Sequence, residues 1–279
     1  MLNNSNPTQL SIGNPGLSQD YRHSLFIWYL QINPGMRNSF FVMLGGTAIQ
    51  NYIGNNTIIA DKDTTVLNNI FLNKGTRLIF PENLNGYFNI RSFAVYGFPV
   101  DFIKSNLNLS LNASITRTPA VINNVFNYSN SNTFGGGVVL SSNISENVDF
   151  TVSSFSSYNF VNNSGIIETG INNNYFTENA SIRFYWRFWQ GFVIQNSLND
   201  QYNSGQGNNS KPNILLWNVS LGLKVLSNDN GEIDPSVNDL LNQNTNIQHN
   251  VSDSYIEDVR TNVLGRYYLL SFVYNIRAY

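Results

Sequence analysis

The stretch that decides the fold is Asn106–Thr116, which reads N-L-N-L-S-L-N-A-S-I-T. Apolar residues, among them Leu107, Leu109, Leu111 and Ile115, occupy every odd position, and asparagine, serine or threonine fills every even one. Side chains on a strand alternate between two faces, whereas a helix would spread these leucines around its circumference. The pattern therefore predicts a β-strand with one apolar face and one polar, uncharged face.

The same stretch is long enough for a strand that crosses a membrane. About 9–11 tilted residues span the hydrocarbon layer of a bilayer. In a transmembrane β-barrel, the outward side chains of each strand face lipid, and their neighbours face a polar lumen. We therefore predict that the apolar face of this strand contacts lipid.

The composition fits such a barrel better than an ordinary soluble domain. Charged residues make up 11% of the 279-residue chain, against about 25% in typical soluble domains, and 14% of residues are aromatic. No apolar run approaches the length of a transmembrane helix. The net charge of −2 gives no electrostatic footprint for nucleic acid, and the absence of cysteine excludes disulfides and thiolate metal sites.

Alternating patterns and turn residues divide the chain into about eleven strands, predicting an antiparallel transmembrane barrel. The connections alternate between short and long, as tight periplasmic turns and long extracellular loops do. Residues 1–21 read as a lead-in, and residues 22–279 as the barrel part, with long loops at 53–85, 118–132, 161–175 and 242–262. The predicted strands cover residues 22–32, 39–52, 87–98, 106–117, 133–142, 148–160, 176–188, 192–203, 213–226, 232–241 and 263–279.

The alternation also predicts which side chains face lipid on several of these strands. They are Leu107, Leu109, Leu111, Ile115, Ile182, Phe184, Trp186, Leu221, Leu270, Phe272 and Tyr274.

Three segments resemble a known family. The C-terminal residues 252–279, the G-N-P-G-L element at 13–17 and the D-L-L-N-Q-N segment at 239–244 are similar to parts of outer-membrane β-barrel proteins related to TonB-dependent receptors of Bacteroidota. The resemblance implies a Gram-negative cell outer membrane and a 22-stranded barrel with an N-terminal plug and TonB-type energy coupling. Eleven strands would be the C-terminal half of that barrel, without the plug.

The resemblance also implies a function and partners. The chain would be part of a transporter that takes up a nutrient or chelate, in contact with outer-membrane lipid, the missing N-terminal barrel half and plug, and the barrel assembly machinery. In that family the assembly machinery recognises the terminal aromatic strand, which assigns this role to Tyr279. Pro235 departs from the family's uninterrupted strand, because proline removes a ladder hydrogen-bond donor.

No motif for catalysis or metal binding is found. The two histidines, His23 and His249, fall in or beside predicted loops, with no second histidine or cysteine at ligand spacing. We therefore expect no enzymatic activity, no cofactor and no bound metal. Basic residues on or near the strands either set lumen electrostatics or contact the plug or an anionic solute; they are Arg91, Arg183, Arg187 and Lys224.

Two other interpretations stay open. A self-contained small barrel of about 10 or 12 strands, acting as a pore or adhesin, would pair its first strand with its last. A secreted soluble β-sandwich that binds glycans or protein would instead seal its apolar faces between two stacked sheets.

Overall fold

The computed structural model is all-β and describes residues 2–6, 8–67, 69–142, 144–164, 173–204, 213–244, 246–251 and 256–276. Two short 3₁₀ turns, Asp101–Ile103 and Ser227–Asp229, accompany the strands. The strands are β1 (Leu2–Asn6), β2 (Gln9–Ile12), β3 (Tyr21–Asn33), β4 (Asn38–Gln50), β5 (Tyr52–Ile59), β6 (Thr64–Val66), β7 (Ile70–Leu72), β8 (Arg77–Leu84), β9 (Tyr87–Val100), β10 (Ser105–Ile122), β11 (Val125–Ser142), β12 (Val148–Asn163), β13 (Asn173–Phe188), β14 (Phe192–Asn203), β15 (Asn213–Val225), β16 (Gly231–Asn238), β17 (Asn246–Val251), β18 (Ile256–Thr261) and β19 (Tyr267–Tyr274).

Eleven of these strands form one antiparallel series, which we call the main sheet. Its order is β3-β4-β9-β10-β11-β12-β13-β14-β15-β16-β19. The sequence predicts these same eleven strands in the same order. Among the described residues, β3 pairs only with β4 and β19 only with β16, so the main sheet has two free edges.

Strand β10, which contains the stretch Asn106–Thr116, sits inside the main sheet. Leu107 lies opposite Phe98 of β9 and Leu140 of β11, and this register continues without a slip. Directly opposed residues of an antiparallel pair share a face. The apolar alternation of β10 is therefore carried to its neighbours on both sides.

The prediction of a long loop at 118–132 is wrong. Strands β10 and β11 pair as far as Ile122 and Val125 and are joined by a two-residue turn. Asn123 and Asn124 both have positive φ, 49° and 64°, which is the backbone of a type I′ hairpin turn. The connection between β10 and β11, which was predicted to be long, is therefore short, and the predicted alternation of short and long connections fails at this point.

The predicted loop at 53–85 is also wrong, because most of it forms strands. β5 and β8 pair antiparallel, β8 pairs parallel with β2, and β5 pairs parallel with Val121 and Ile122 of β10. Together with β1 these strands make an extension of the sheet, which we call the rim sheet. Its buried core contains Leu10, Ala60 and Leu78, which pack with Leu72 of the separate β6–β7 hairpin.

The C-terminal region differs from the prediction in extent. The described part of the last strand is β19, shorter than the predicted 263–279, and a hairpin of β17 and β18 occupies much of the predicted loop at 242–262. Pro235 pairs with Leu270 of β19, but the ladder between β15 and β16 is interrupted opposite Pro235 and Asp234. The missing proline N–H accounts for the interruption.

Candidate functional site

One face of the main sheet is apolar across all eleven strands. From β10 it continues through the opposed pairs Leu140–Val152, Val152–Ile182, Ile182–Leu198 and Leu198–Trp217. Leu223, Ile233 and Phe272 complete it to β19. In the other direction it runs from Leu111 through Ala94 to Val42 of β4. We call this the apolar face.

The register places all the residues predicted to face lipid on the apolar face. Most of their side chains are also uncovered: Leu111 is 68% exposed, Leu221 50% and Leu270 72%. Leu107 and Phe184 are half-buried between their neighbours. No second sheet covers these positions in the described part of the chain, so a sandwich core of the predicted kind is not present there.

Aromatic side chains form two rows on the apolar face. One row lies near the short turns, where the Trp186 and Phe188 ring centroids are 4.8 Å apart and those of Trp189 and Phe192 5.7 Å apart. The other row lies toward the opposite ends of the strands and includes Phe126, Tyr128, Phe134, Tyr158, Phe160, Phe176 and Tyr202. Aromatic rows at two heights are typical of the two interfaces of a membrane protein.

Charged groups also lie on the apolar face, near the second aromatic row. Ser154 Oγ donates to Glu178 Oε1 at 3.1 Å, and Arg117 lies over the rings of Phe88 and Tyr128, 5.4 Å and 4.8 Å from their centroids. The sequence analysis missed these groups, although their parity within the strands places them there. Arg117 Nε also donates to Asn130 Oδ1 at 3.3 Å. These partners lower the cost of placing a charge beside apolar side chains.

The opposite face of the main sheet, which we call the polar face, carries most of the predicted basic residues in contact with partners. Arg187 pairs with Asp229, Lys224 pairs with Glu232, and Arg91 lies 5.4 Å from the Phe26 ring centroid. Arg183 is exposed and has no partner among the described residues. The prediction that these groups act within a lumen is not tested by these contacts.

A hollow opens in the polar face across β12 to β16, with a volume of about 500 Å³. It lies near the short-turn ends of these strands. The side chains that reach it from the polar face are those of Asp149, Thr151, Arg183, Tyr185, Gln195, Ser197, Asn218, Ser220, Asp234, Ser236 and Asn238. The pattern of residues within one strand cannot reveal that these side chains lie together, because their proximity depends on the register of five strands.

The two edge strands carry apolar side chains on both faces, as β4 also does with Phe41 and Met43 on the polar face. In β3, Leu25 and Ile27 lie on the apolar face and are 67% and 55% exposed, while Trp28 and Ile32 lie on the polar face and are 70% and 66% exposed. In β19, Leu269 and Val273 likewise point away from the apolar face. Large uncovered apolar surfaces mark sites of interaction with protein or lipid.

Several predicted residues fall elsewhere. His249 lies in β17, so its placement in a loop is wrong, whereas His23 lies near the start of β3, in agreement with the predicted strand 22–32. No group of three or more metal-ligating side chains occurs among the residues that the structure describes. Tyr279 lies outside the described residues. The described chain also contains no helix with the length and apolar character needed to cross a bilayer.

Comparison of the chain with protein-family models, with curated proteins and with solved structures finds no match in any of the three. The resemblance to TonB-dependent receptors therefore remains a prediction from the three sequence segments quoted above.

Proposed function

We propose that the chain is the C-terminal barrel part of an outer-membrane transporter, with its apolar face in lipid. The observation that carries this proposal is the continuous, uncovered apolar face, bounded by two aromatic rows and backed by a polar face. Strands in water do not gain from exposing such a surface, whereas hydrocarbon solvates it. The resemblance to TonB-dependent receptors adds to this proposal the class of solute that is transported, a nutrient or chelate, and the use of TonB-type energy coupling for its uptake.

The direction of the edge strands supports a barrel that is completed by further strands. Nine antiparallel strands lie between β3 and β19, so these two run in the same direction. A ladder between them would be parallel, and so would a ladder between two copies in the same membrane orientation. An odd number of additional strands closes the barrel with antiparallel pairs throughout, as in bacterial barrels of even strand number.

The missing strands come from the N-terminal barrel half that the resemblance implies, with the plug inside it. Open edges in lipid leave backbone N–H and C=O groups unpaired, at several kcal/mol each. The two-sided apolar character of β3 fits a strand whose polar-face side chains, such as Trp28, are covered by another part of the assembly. Tyr279 is assigned to recognition by the barrel assembly machinery on the resemblance alone.

Cell fractionation tests the membrane assignment. The protein should stay with the outer membrane through washes with alkaline carbonate and urea, and detergent should be needed to release it. Recovery in the aqueous phase without detergent would contradict the assignment and favour a soluble binding protein.

A photo-crosslinking amino acid at Trp28 tests how the barrel closes. We expect it to capture a strand that does not belong to the main sheet. A crosslink to β19 of the same chain would favour the self-contained small barrel, which acts as a pore or adhesin. The same probe at Leu111, in the middle of the apolar face, serves as the control and should label lipid.

A further inference from the structure

The hollow in the polar face is lined mainly by neutral side chains that both donate and accept hydrogen bonds. Seven of the eleven side chains that reach it are of this kind: Thr151, Gln195, Ser197, Asn218, Ser220, Ser236 and Asn238. Tyr185 adds an aromatic ring with a hydroxyl. This lining suits a ligand that presents many hydroxyl groups and little charge.

Much of this hydrogen-bonding capacity is unused. Among the described residues, no side-chain partner is present for Arg183, Tyr185, Gln195 or Ser236, and the buried Oδ1 of Asp234 accepts no hydrogen bond. Ser220 is only 9% exposed, yet its hydroxyl is also without a partner. A buried polar atom without a partner, such as Asp234 Oδ1, is costly, so a ligand that satisfies it gains affinity.

The register arranges these side chains in two rows across the sheet. The first row follows the opposed pairs Asp149–Tyr185, Tyr185–Gln195, Gln195–Ser220 and Ser220–Ser236. Because neighbouring strands lie about 4.8 Å apart, this row is roughly 19 Å long.

The second row lies two residues further from the short turns. It follows the opposed pairs Thr151–Arg183, Arg183–Ser197 and Ser197–Asn218. The two rows together form a trough suited to an elongated ligand rather than to a single small ion.

The charges in and beside the hollow argue against an anionic ligand. Arg183 is the one cation among the described residues of the lining, which also contains two carboxylates, Asp149 and Asp234. Arg187 and Lys224 are already paired with Asp229 and Glu232. Gly222 leaves room for the carboxylates of Glu232 and Asp234 beside the hollow, because a Cβ there would stand 3.0 Å and 3.2 Å from them.

We infer that this hollow is a binding site for an uncharged, hydroxyl-rich solute of several linked rings, an oligosaccharide in chemical class. Arg183 and Asp234 form hydrogen bonds with hydroxyl groups at its two ends, and the amide side chains of Gln195 and Asn218 contact its middle. Tyr185 offers a ring face to a sugar ring. The inference deepens the proposed function. The statement that this site lines a transport path, at the short-turn end of the barrel, rests on that proposed function.

Calorimetric titration of the whole protein in detergent tests the site. The probes are maltohexaose, xylohexaose and chitohexaose, with hexagalacturonate as an anionic comparison. We expect at least one neutral probe to bind, and Arg183→Ala and Gln195→Ala each to weaken it at least tenfold. Asn89→Ala, on the polar face outside the hollow, should leave the affinity unchanged.

Three outcomes would overturn the inference: no neutral probe binds, hexagalacturonate binds more tightly than all of them, or Arg183→Ala and Gln195→Ala match the Asn89→Ala control. Circular dichroism of each variant shows whether the sheet is intact. Failure of binding by a protein that still resists carbonate extraction rejects this site alone. Failure to remain in the membrane rejects the proposed function instead.

Discussion

Leu111 of β10 lies directly opposite Gly136 of β11, so close that a Cβ on the glycine would stand 3.3 Å from Leu111 Cδ2. On its other side, Leu111 faces Ala94 of β9. These small neighbours leave the leucine uncovered, and 68% of it remains exposed. A position of this kind gains little from the protein and, in our account, is solvated by hydrocarbon.

The first prediction concerns a charge at this position. Leu111→Arg should lower the free energy of unfolding in liposomes by about 2–4 kcal/mol, the cost of arginine near the midplane of a barrel's lipid face. Asn112→Arg, one residue along and on the polar face, is the matched control and should have a much smaller effect. Urea titration of both variants measures the difference, and equal costs would count against lipid contact.

The second prediction concerns close packing on the polar face. A Cβ at Gly137 would overlap the ring of Phe155 and approach Ser110 Oγ to 3.0 Å. Gly137→Ala should therefore destabilise the sheet by about 1–3 kcal/mol, as overpacking does. Gly46→Ala is the control, because nothing lies within 4 Å of a Cβ there. If the aromatic ring is the cause, Phe155→Ala in the same chain should relieve most of the loss.

The third prediction concerns the ion pair between Lys224 and Glu232 on adjacent strands. Their side chains are only 16% and 12% exposed. Removing one partner leaves the other charge poorly solvated, so Glu232→Ala should cost about 3–5 kcal/mol. The corresponding change in the exposed Arg37–Asp101 pair, Asp101→Ala, should cost about 1 kcal/mol or less. Similar losses in thermal unfolding for both would show that burial does not decide the effect.

The fourth prediction concerns the rim sheet. Leu72 is fully buried and its neighbour Phe71 is 59% exposed. Leu72→Ala should destabilise the rim sheet by about 2–5 kcal/mol through the cavity it leaves, whereas Phe71→Ala should cost far less. Limited proteolysis should then cut between β5 and β8 in the first variant only. Cleavage at the same rate in both would mean that this core does not hold the rim sheet together.

Much of the main sheet is predictable from local pattern. A strict alternation such as that of β10 predicts both that a strand forms and which residues share a face, because side-chain direction has a period of two. For the same reason the predicted parity of Ile182 and Leu270 agrees with the register, although they lie on strands far apart in the sequence. The resemblance to TonB-dependent receptors could not predict how the barrel closes, because closure depends on strands outside this sheet.

The missed elements depend on contacts between distant segments. Residues 118–132 contain Pro119 and many asparagine and serine residues, which indicate a loop, yet they are paired along β10 and β11 and with β5. The rim sheet joins β2 with β8 and β5 with β10 in parallel, and parallel pairing leaves no local turn signal. The hollow was missed for a related reason, because its two rows exist only once five strands are aligned.

The most direct test of the central claim uses the absence of cysteine from the chain. Single cysteines placed in turn at positions 107–116 and spin-labelled in liposomes report contact with membrane-dissolved oxygen or with an aqueous nickel complex. We predict an alternation of period two, with odd positions such as Leu109 and Leu111 accessible to oxygen and even positions accessible to nickel. Labels at the odd positions that are shielded from oxygen, or as accessible to nickel as their neighbours, would contradict the account.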